Sequence, residues 1–158
     1  DHTLFVISPD HFPYVMRTGD YDILAQQDVS STVFKNYHSC LGIWNSQMKE
    51  PVVVDKICAS VDILPTVLNL MGVEYDSRLL AGRDILYEED GYAVFMDYSY
   101  ITPYVSYNSA TGEITQYEQT KNDKDTELVN ADKISQMYYY SKRMIDMDYY
   151  RYVYGKEK

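Results

Sequence analysis

Apolar positions fall in short runs along this chain, and their period changes from one run to the next. Residues 3–8 (TLFVIS) form a continuous apolar run stopped by Pro9. That is the pattern of a strand covered on both faces, as in a parallel or mixed sheet. The next stretch, PDHFPYVMRTGDYD (9–22), holds two prolines, a glycine and three aspartates and predicts a long loop. Residues 26–36 carry a weak helical pattern, with Val29, Val33 and Phe34 as its apolar positions and Asp28 or Ser30 as its cap. CLGIWN (40–45) predicts a second short strand, and the valines at 52–54 an edge or short strand.

The clearest helix spans residues 60–71 (SVDILPTVLNLM). Ser60 or Asp62 can accept its first amides, and Pro65 is tolerated because it falls in the first turn. Ile63, Val67 and Leu70 share a face, flanked by Leu64, Leu68 and Met71, and Gly72 supplies a left-handed cap. Residues 92–98 predict a strand. TPYVSYN and EITQYEQ on either side of SATG predict a hairpin over 103–118, with Gly112 taking positive φ. KNDKD (121–125) reads as a polar connector. From about residue 127 the helical period returns through Ile134, Tyr138, Ser141, Ile145, Tyr149 and Tyr152, and Gly155 ends it. A three-turn apolar helix between strands implies an α/β fold in which the helix covers a sheet containing residues 3–8 and 40–45.

Composition narrows the reading. The 158 residues suit one domain. Twenty-four acidic residues against 14 basic ones give a formal charge of -10, which repels phosphate backbones and leaves no basic stripe for nucleic acid. No apolar run is long enough to cross a membrane. Cys40 and Cys58 are too few for a disulfide framework or a structural zinc site; two buried thiols and a single bridge both remain open. Eighteen tyrosines suit a broad half-buried surface or an interface. The opening DHTLFVISPDH, without Met or signal peptide, predicts a piece of a longer protein.

Chemistry concentrates at one point. Asp10 and His11 immediately follow the first strand, and ligands bind outside the carboxyl ends of strands in α/β sheets. An adjacent carboxylate and imidazole can both reach one divalent cation; as a bland alternative, the Asp caps a turn and the His faces solvent. His38 precedes the second strand with no motif around it, and His2 stands at the chain start. Glu88, Glu89 and Asp90 read as a solvated turn. Ser8, Ser60 and Thr66 have no adjacent base, and there is no nucleophile elbow, Walker A loop or dinucleotide-binding glycine motif.

Three segments together resemble a known family: TLFVISPDHFPY (3–14), the stretch from LGIWN at 41 through VDILPTVLNLMG to AGRDIL at 86, and SKRMIDMDYY (141–150). They are similar to the C-terminal part of the sulfatase-like phosphoglycerol transferases, the lipoteichoic acid synthase family of the alkaline phosphatase superfamily. The resemblance implies an alkaline-phosphatase or sulfatase-like α/β sandwich, with a mixed sheet, flanking helices, a hairpin and a C-terminal helix. Residues 1–100 would be the end of the catalytic domain, and 101–158 the hairpin and tyrosine-rich helix. It implies that Asp10 and His11 match a pair of ligands to one divalent ion, expected to be manganese. The threonine nucleophile and its acidic partner would lie upstream, so this chain alone would be inactive. The implied substrate is a glycerophospholipid or another phosphate or sulfate ester. The implied setting is a parent anchored in the plasma membrane with this part outside, held against the remainder of the same polypeptide. Phe12-Pro13-Tyr14 replaces the Gly common in true sulfatases, which favours the transferase-like branch over an arylsulfatase. A non-catalytic interaction domain that kept the fold is the reading from another class. Exposed sheet or tyrosine surface would make such a piece self-associate.

Overall fold

A computed structural model describes residues 3–12, 14–17, 19–30, 34–87, 90–117 and 131–155, with 131–135 as backbone. His2, Val33, Glu88, Glu89, the connector 121–125 and the side chain of Ile134 lie outside the described residues. α and β elements are mixed in two compact units, residues 1–53 and 54–158.

In the first unit β1 (Phe5–Ile7) pairs antiparallel with β2 (Gly42–Trp44). The expected strands therefore form and share a sheet. Phe5 stands opposite Trp44, with ring centroids 5.6 Å apart. The sheet has only two strands, and its side chains are not covered on both faces: Phe5 is 52% and Ile7 71% exposed. A central strand needs neighbours along both edges and layers on both faces, and among the described residues β1 has one neighbour. The valines at 52–54 form no strand.

Helix α1 (Asp20–Ala25) lies earlier than the expected 26–36 pattern, of which, among the described residues, only a 3-10 turn at Lys35–Tyr37 is helical. Asp20 and Asp22 in its first turn suit the positive end of the helix dipole. The Asp22 carboxylate then captures the amides of Val29 (2.7 Å) and Ser30 (2.9 Å) and the Ser30 hydroxyl (2.6 Å). Those amides are unavailable to a helical ladder through residue 30, and the capture buries Val29.

The second unit begins with the 3-10 turn Ser60–Asp62 leading into α2 (Ile63–Leu70). Its end follows the sequence pattern: Gly72 takes φ 65°, its amide reaches Asn69 O at 3.0 Å, and the Val73 amide reaches Leu68 O at 2.9 Å. This double closure satisfies two of the last carbonyls. Burial differs from the expected stripe, however. Pro65 and Thr66 are buried, while Leu64, Leu70 and Met71 are largely exposed.

Strands β3 (Ala93–Val94), β4 (Tyr100–Ile101), β5 (Val105–Asn108) and β6 (Glu113–Gln116) follow as an antiparallel sheet in chain order. Both sheets are thus antiparallel where a mixed one was expected. The predicted hairpin is β5–β6, closed with Gly112 at φ 71°. Tyr100 and Val105 centre a small core with Tyr92, Val94, Tyr104, Tyr107 and Tyr138 around it. Helix α3 (Ala131–Asp146) docks through Tyr138, whose hydroxyl donates to Val94 O at 3.1 Å. The single terminal helix of the sequence pattern is broken: Asp148 takes φ 50°, and α4 (Tyr149–Tyr154) follows. Asp tolerates this left-handed conformation better than most residues. Among the described residues no helix is long and apolar enough to cross a membrane.

Candidate functional site

Asp10 and His11 follow β1 with only Ser8 and Pro9 between. His11 Nδ1 lies 2.7 Å from Phe12 O, and a carbonyl can only accept, so this contact holds the proton on Nδ1. Nε2 stands 3.6 Å from Asp10 Oδ2. Tyr14 packs on the imidazole at 4.6 Å between centroids, and Phe12 meets Tyr37 edge-on at 5.1 Å. A ring nitrogen engaged by a backbone carbonyl is the support that orients a metal-binding histidine, and Nε2 and the Asp10 carboxylate lie on the same side of it.

The donor set, one imidazole nitrogen and one carboxylate oxygen, suits a divalent transition ion. It is only part of a shell. Among the described residues no group of three or more His, Cys, Asp or Glu is placed to hold a metal, and His38 joins none. Both side chains face solvent, Asp10 being 88% exposed and His11 50%. Their fit to a metal is therefore chemical and partial, with further ligands required from other residues.

The DILPT segment (62–66) at the start of α2 and the segment Gly82-Arg83-Asp84 are joined by a clasp in the second unit. The Asp62 carboxylate, 4% exposed, accepts the Ala59 amide and the Arg83 amide, each at 2.8 Å. Thr66 is fully buried; its hydroxyl donates to Asp62 O at 2.6 Å and accepts from the Ile85 amide at 3.0 Å. Asn69 donates to Asp84 at 2.8 Å, and Asp84 in turn accepts the Leu86 amide. Gly82 lets the strap lie flat on the helix start, since a Cβ there would sit 1.9 Å from Val61 O. The clasp joins residues about 20 positions apart, so its meaning is not visible in the sequence without the partners.

A cleft of about 430 Å³ lies beside the clasp, lined in part by Lys56, Cys58, Tyr75, Arg83 and Asp84. Arg83 is held by stacking on Tyr92 at 3.8 Å and by donating to Asp90 O at 3.2 Å, and Lys56 donates to Tyr87 O. Burial, then the nearby Asp62 charge, pushes the Cys58 thiol up, which disfavours its thiolate. Neither cysteine is bridged, and Cys40, expected to be buried if free, is exposed.

Comparison with known proteins gives the site its context. The chain is 24% identical over 148 residues to a lipoteichoic acid synthase from Staphylococcus saprophyticus, covering 85% of this chain and 23% of that protein. It is 33% identical over 81 residues to lipoteichoic acid synthase 2 from Bacillus subtilis, covering 51% of this chain and 12% of that protein. No family model matches, and no solved structure does. The chain spans less than a quarter of the length of these relatives, and what it shares with lipoteichoic acid synthases is a distant, partial similarity.

Proposed function

We propose that the chain is the C-terminal part of a metal-dependent phosphoglycerol transferase of the sulfatase-like, alkaline phosphatase superfamily. Residues 1–100 would close its catalytic domain, and 101–158 would form the appended hairpin and helices. The observation that carries this reading is the similarity to a lipoteichoic acid synthase over 85% of the chain. The locked tautomer of His11 beside Asp10 supports it.

In this reading Asp10 offers an anionic oxygen and His11 its Nε2 to one divalent ion, manganese, while Phe12 O keeps the proton on Nδ1. The ion, when bound, lowers the pKa of a nucleophile and neutralises charge on the transferred phosphoryl oxygens. The nucleophile belongs to another part of the polypeptide. Thr66, a hydroxyl without an adjacent base, is spent on two structural hydrogen bonds and is sealed from solvent. The substrate is a glycerophospholipid headgroup, presented to a parent anchored in the plasma membrane with this part outside.

Manganese titration and turnover of a fluorescent glycerophospholipid test the reading. The 158-residue chain alone is expected to show no turnover and weak manganese binding. In the intact parent, Asp10→Ala and His11→Ala should each remove most turnover and weaken manganese binding, and His38→Ala should change neither. Normal turnover and manganese affinity in Asp10→Ala would overturn the assignment. Cleavage of sulfate or phosphate esters without transfer would move the parent to the hydrolase branch. An intact parent that neither binds the ion nor turns over would make this a non-catalytic domain.

A further inference from the structure

The turn after Asp10 and His11 holds the histidine from two sides. Tyr14 donates its amide to Phe12 O at 2.8 Å. The same oxygen accepts from His11 Nδ1 at 2.7 Å, so both lone pairs of that carbonyl are engaged. A carbonyl tied by the Tyr14 amide keeps one direction, and the imidazole bonded to it is held in turn. The Tyr14 side chain adds the second hold. Its ring packs on the imidazole with centroids 4.6 Å apart and planes tilted by 39°. That ring is steadied by Phe12, which meets it edge-on at 6.1 Å and meets Tyr37, in the 3-10 turn Lys35–Tyr37, at 5.1 Å. The His11 side chain is 50% exposed, and one hydrogen bond at such a place competes with water. The bond alone would leave the imidazole free to turn, and the covering ring keeps it in place.

We propose that Tyr14 is a positioning residue for His11: its amide fixes the Phe12 carbonyl and its ring fixes the imidazole, leaving Nε2 turned to the Asp10 carboxylate for a divalent ion. The use of this bracket rests on the metal reading proposed above, whereas the bracket itself rests on geometry. Tyr14 touches no ion in this assignment. A ligand already oriented loses less freedom when the ion arrives, and removing a support of this kind typically weakens metal binding about 10–100-fold. The Tyr14 hydroxyl has no part in the bracket. Phenylalanine should therefore serve as well as tyrosine, and alanine, which keeps the amide and loses the ring, should not.

NMR of the full 158-residue chain with isotope-labelled histidine tests the bracket without any metal. In mildly alkaline buffer a free imidazole is neutral and prefers its proton on Nε2. The His11 ring signals, identified by their loss in His11→Gln, should instead show the proton on Nδ1. Tyr14→Ala should move Nδ1 toward its unprotonated position, and Tyr14→Phe should keep it in place. Tyr14 is 64% exposed, so either change should leave the remaining amide spectrum unaltered. Manganese, added to the same samples, broadens the ring signals of a histidine that binds it. His11 should broaden at lower manganese than His38, Tyr14→Ala should raise the manganese needed about tenfold, and Tyr14→Phe should match the parent chain. An Nδ1 signal indifferent to Tyr14→Ala would overturn the inference, and so would Tyr14→Phe behaving like Tyr14→Ala. If His11 broadens no more readily than His38 while Nδ1 responds as expected, the metal reading fails and the bracket stands.

Discussion

Single side chains in this protein do more structural work than their residue types suggest. Thr66→Val keeps the shape of the buried side chain but strands the Ile85 amide, so it should cost about 1–3 kcal/mol in a urea melt. Gly82→Ala pushes a methyl into the Val61 carbonyl and should cost a similar amount, because backbone has to move and no side chain can yield. Normal stability in both would mean that the clasp is not the closure of α2. Asp22 gives a pH signature. Its carboxyl is held below the ordinary 3.8 by the Ser30 hydroxyl first and by the Ser30 and Val29 amides next. A depressed pKa means the bonds contribute above the ordinary value and are lost as pH falls through the lower, folded value. Carboxyl NMR should therefore show Asp22 titrating below 3.8, and Ser30→Ala should bring it back toward that value. An unchanged titration in Ser30→Ala would remove the hydroxyl as the main cause. The role of Asp62 was half legible: a carboxylate at the helix start reads as a cap, but its second amide comes from Arg83, 21 positions on.

Elements closed by neighbouring residues were readable, and those that depend on distant partners were not. The β5–β6 hairpin and the end of α2 rest on Gly112 and Gly72, whose positive φ is written in the residue type. Helix α1 was misplaced because the Asp22 side chain competes for the amides that the 26–36 pattern needed. The break at Asp148 was hidden inside a helical period that continues on both sides of it. Burial was the least legible quantity: α2 turns Pro65 and Thr66 inward, and Leu68 is only half-buried. Leu68→Ala should accordingly fall at or below the lower end of the usual core range, about 2 kcal/mol. The docking of α3 provides a sharper test. Tyr138→Phe removes only the hydrogen bond to Val94 O and should cost about 0.5–1.5 kcal/mol. Tyr139→Ala, on the exposed side of the same helix, should stay within about 0.5 kcal/mol. Equal thermal midpoints for the two variants would show that Tyr138 does not anchor the helix.

At the scale of the whole molecule, the balance between apolar exposure and charge decides how copies behave together. Phe5, Ile7 and Trp44 are each more than half exposed, and among the described residues β1 and β2 each keep one unpaired edge. A two-stranded sheet with open edges and bare apolar faces is a template for a further strand. Opposing this, every copy carries a net charge of -10, so two copies repel at low ionic strength. Salt screens that repulsion within about 10 Å at 0.1 M and leaves apolar attraction intact. The chain should therefore sediment as a monomer in dilute buffer and shift toward larger species as salt and protein concentration rise. Ile7→Lys should suppress the shift, because it puts a charge on the exposed strand, and should leave the melting midpoint nearly unchanged because Ile7 is already 71% exposed. Association that weakens with salt, or that Ile7→Lys does not touch, would place the self-association surface away from β1.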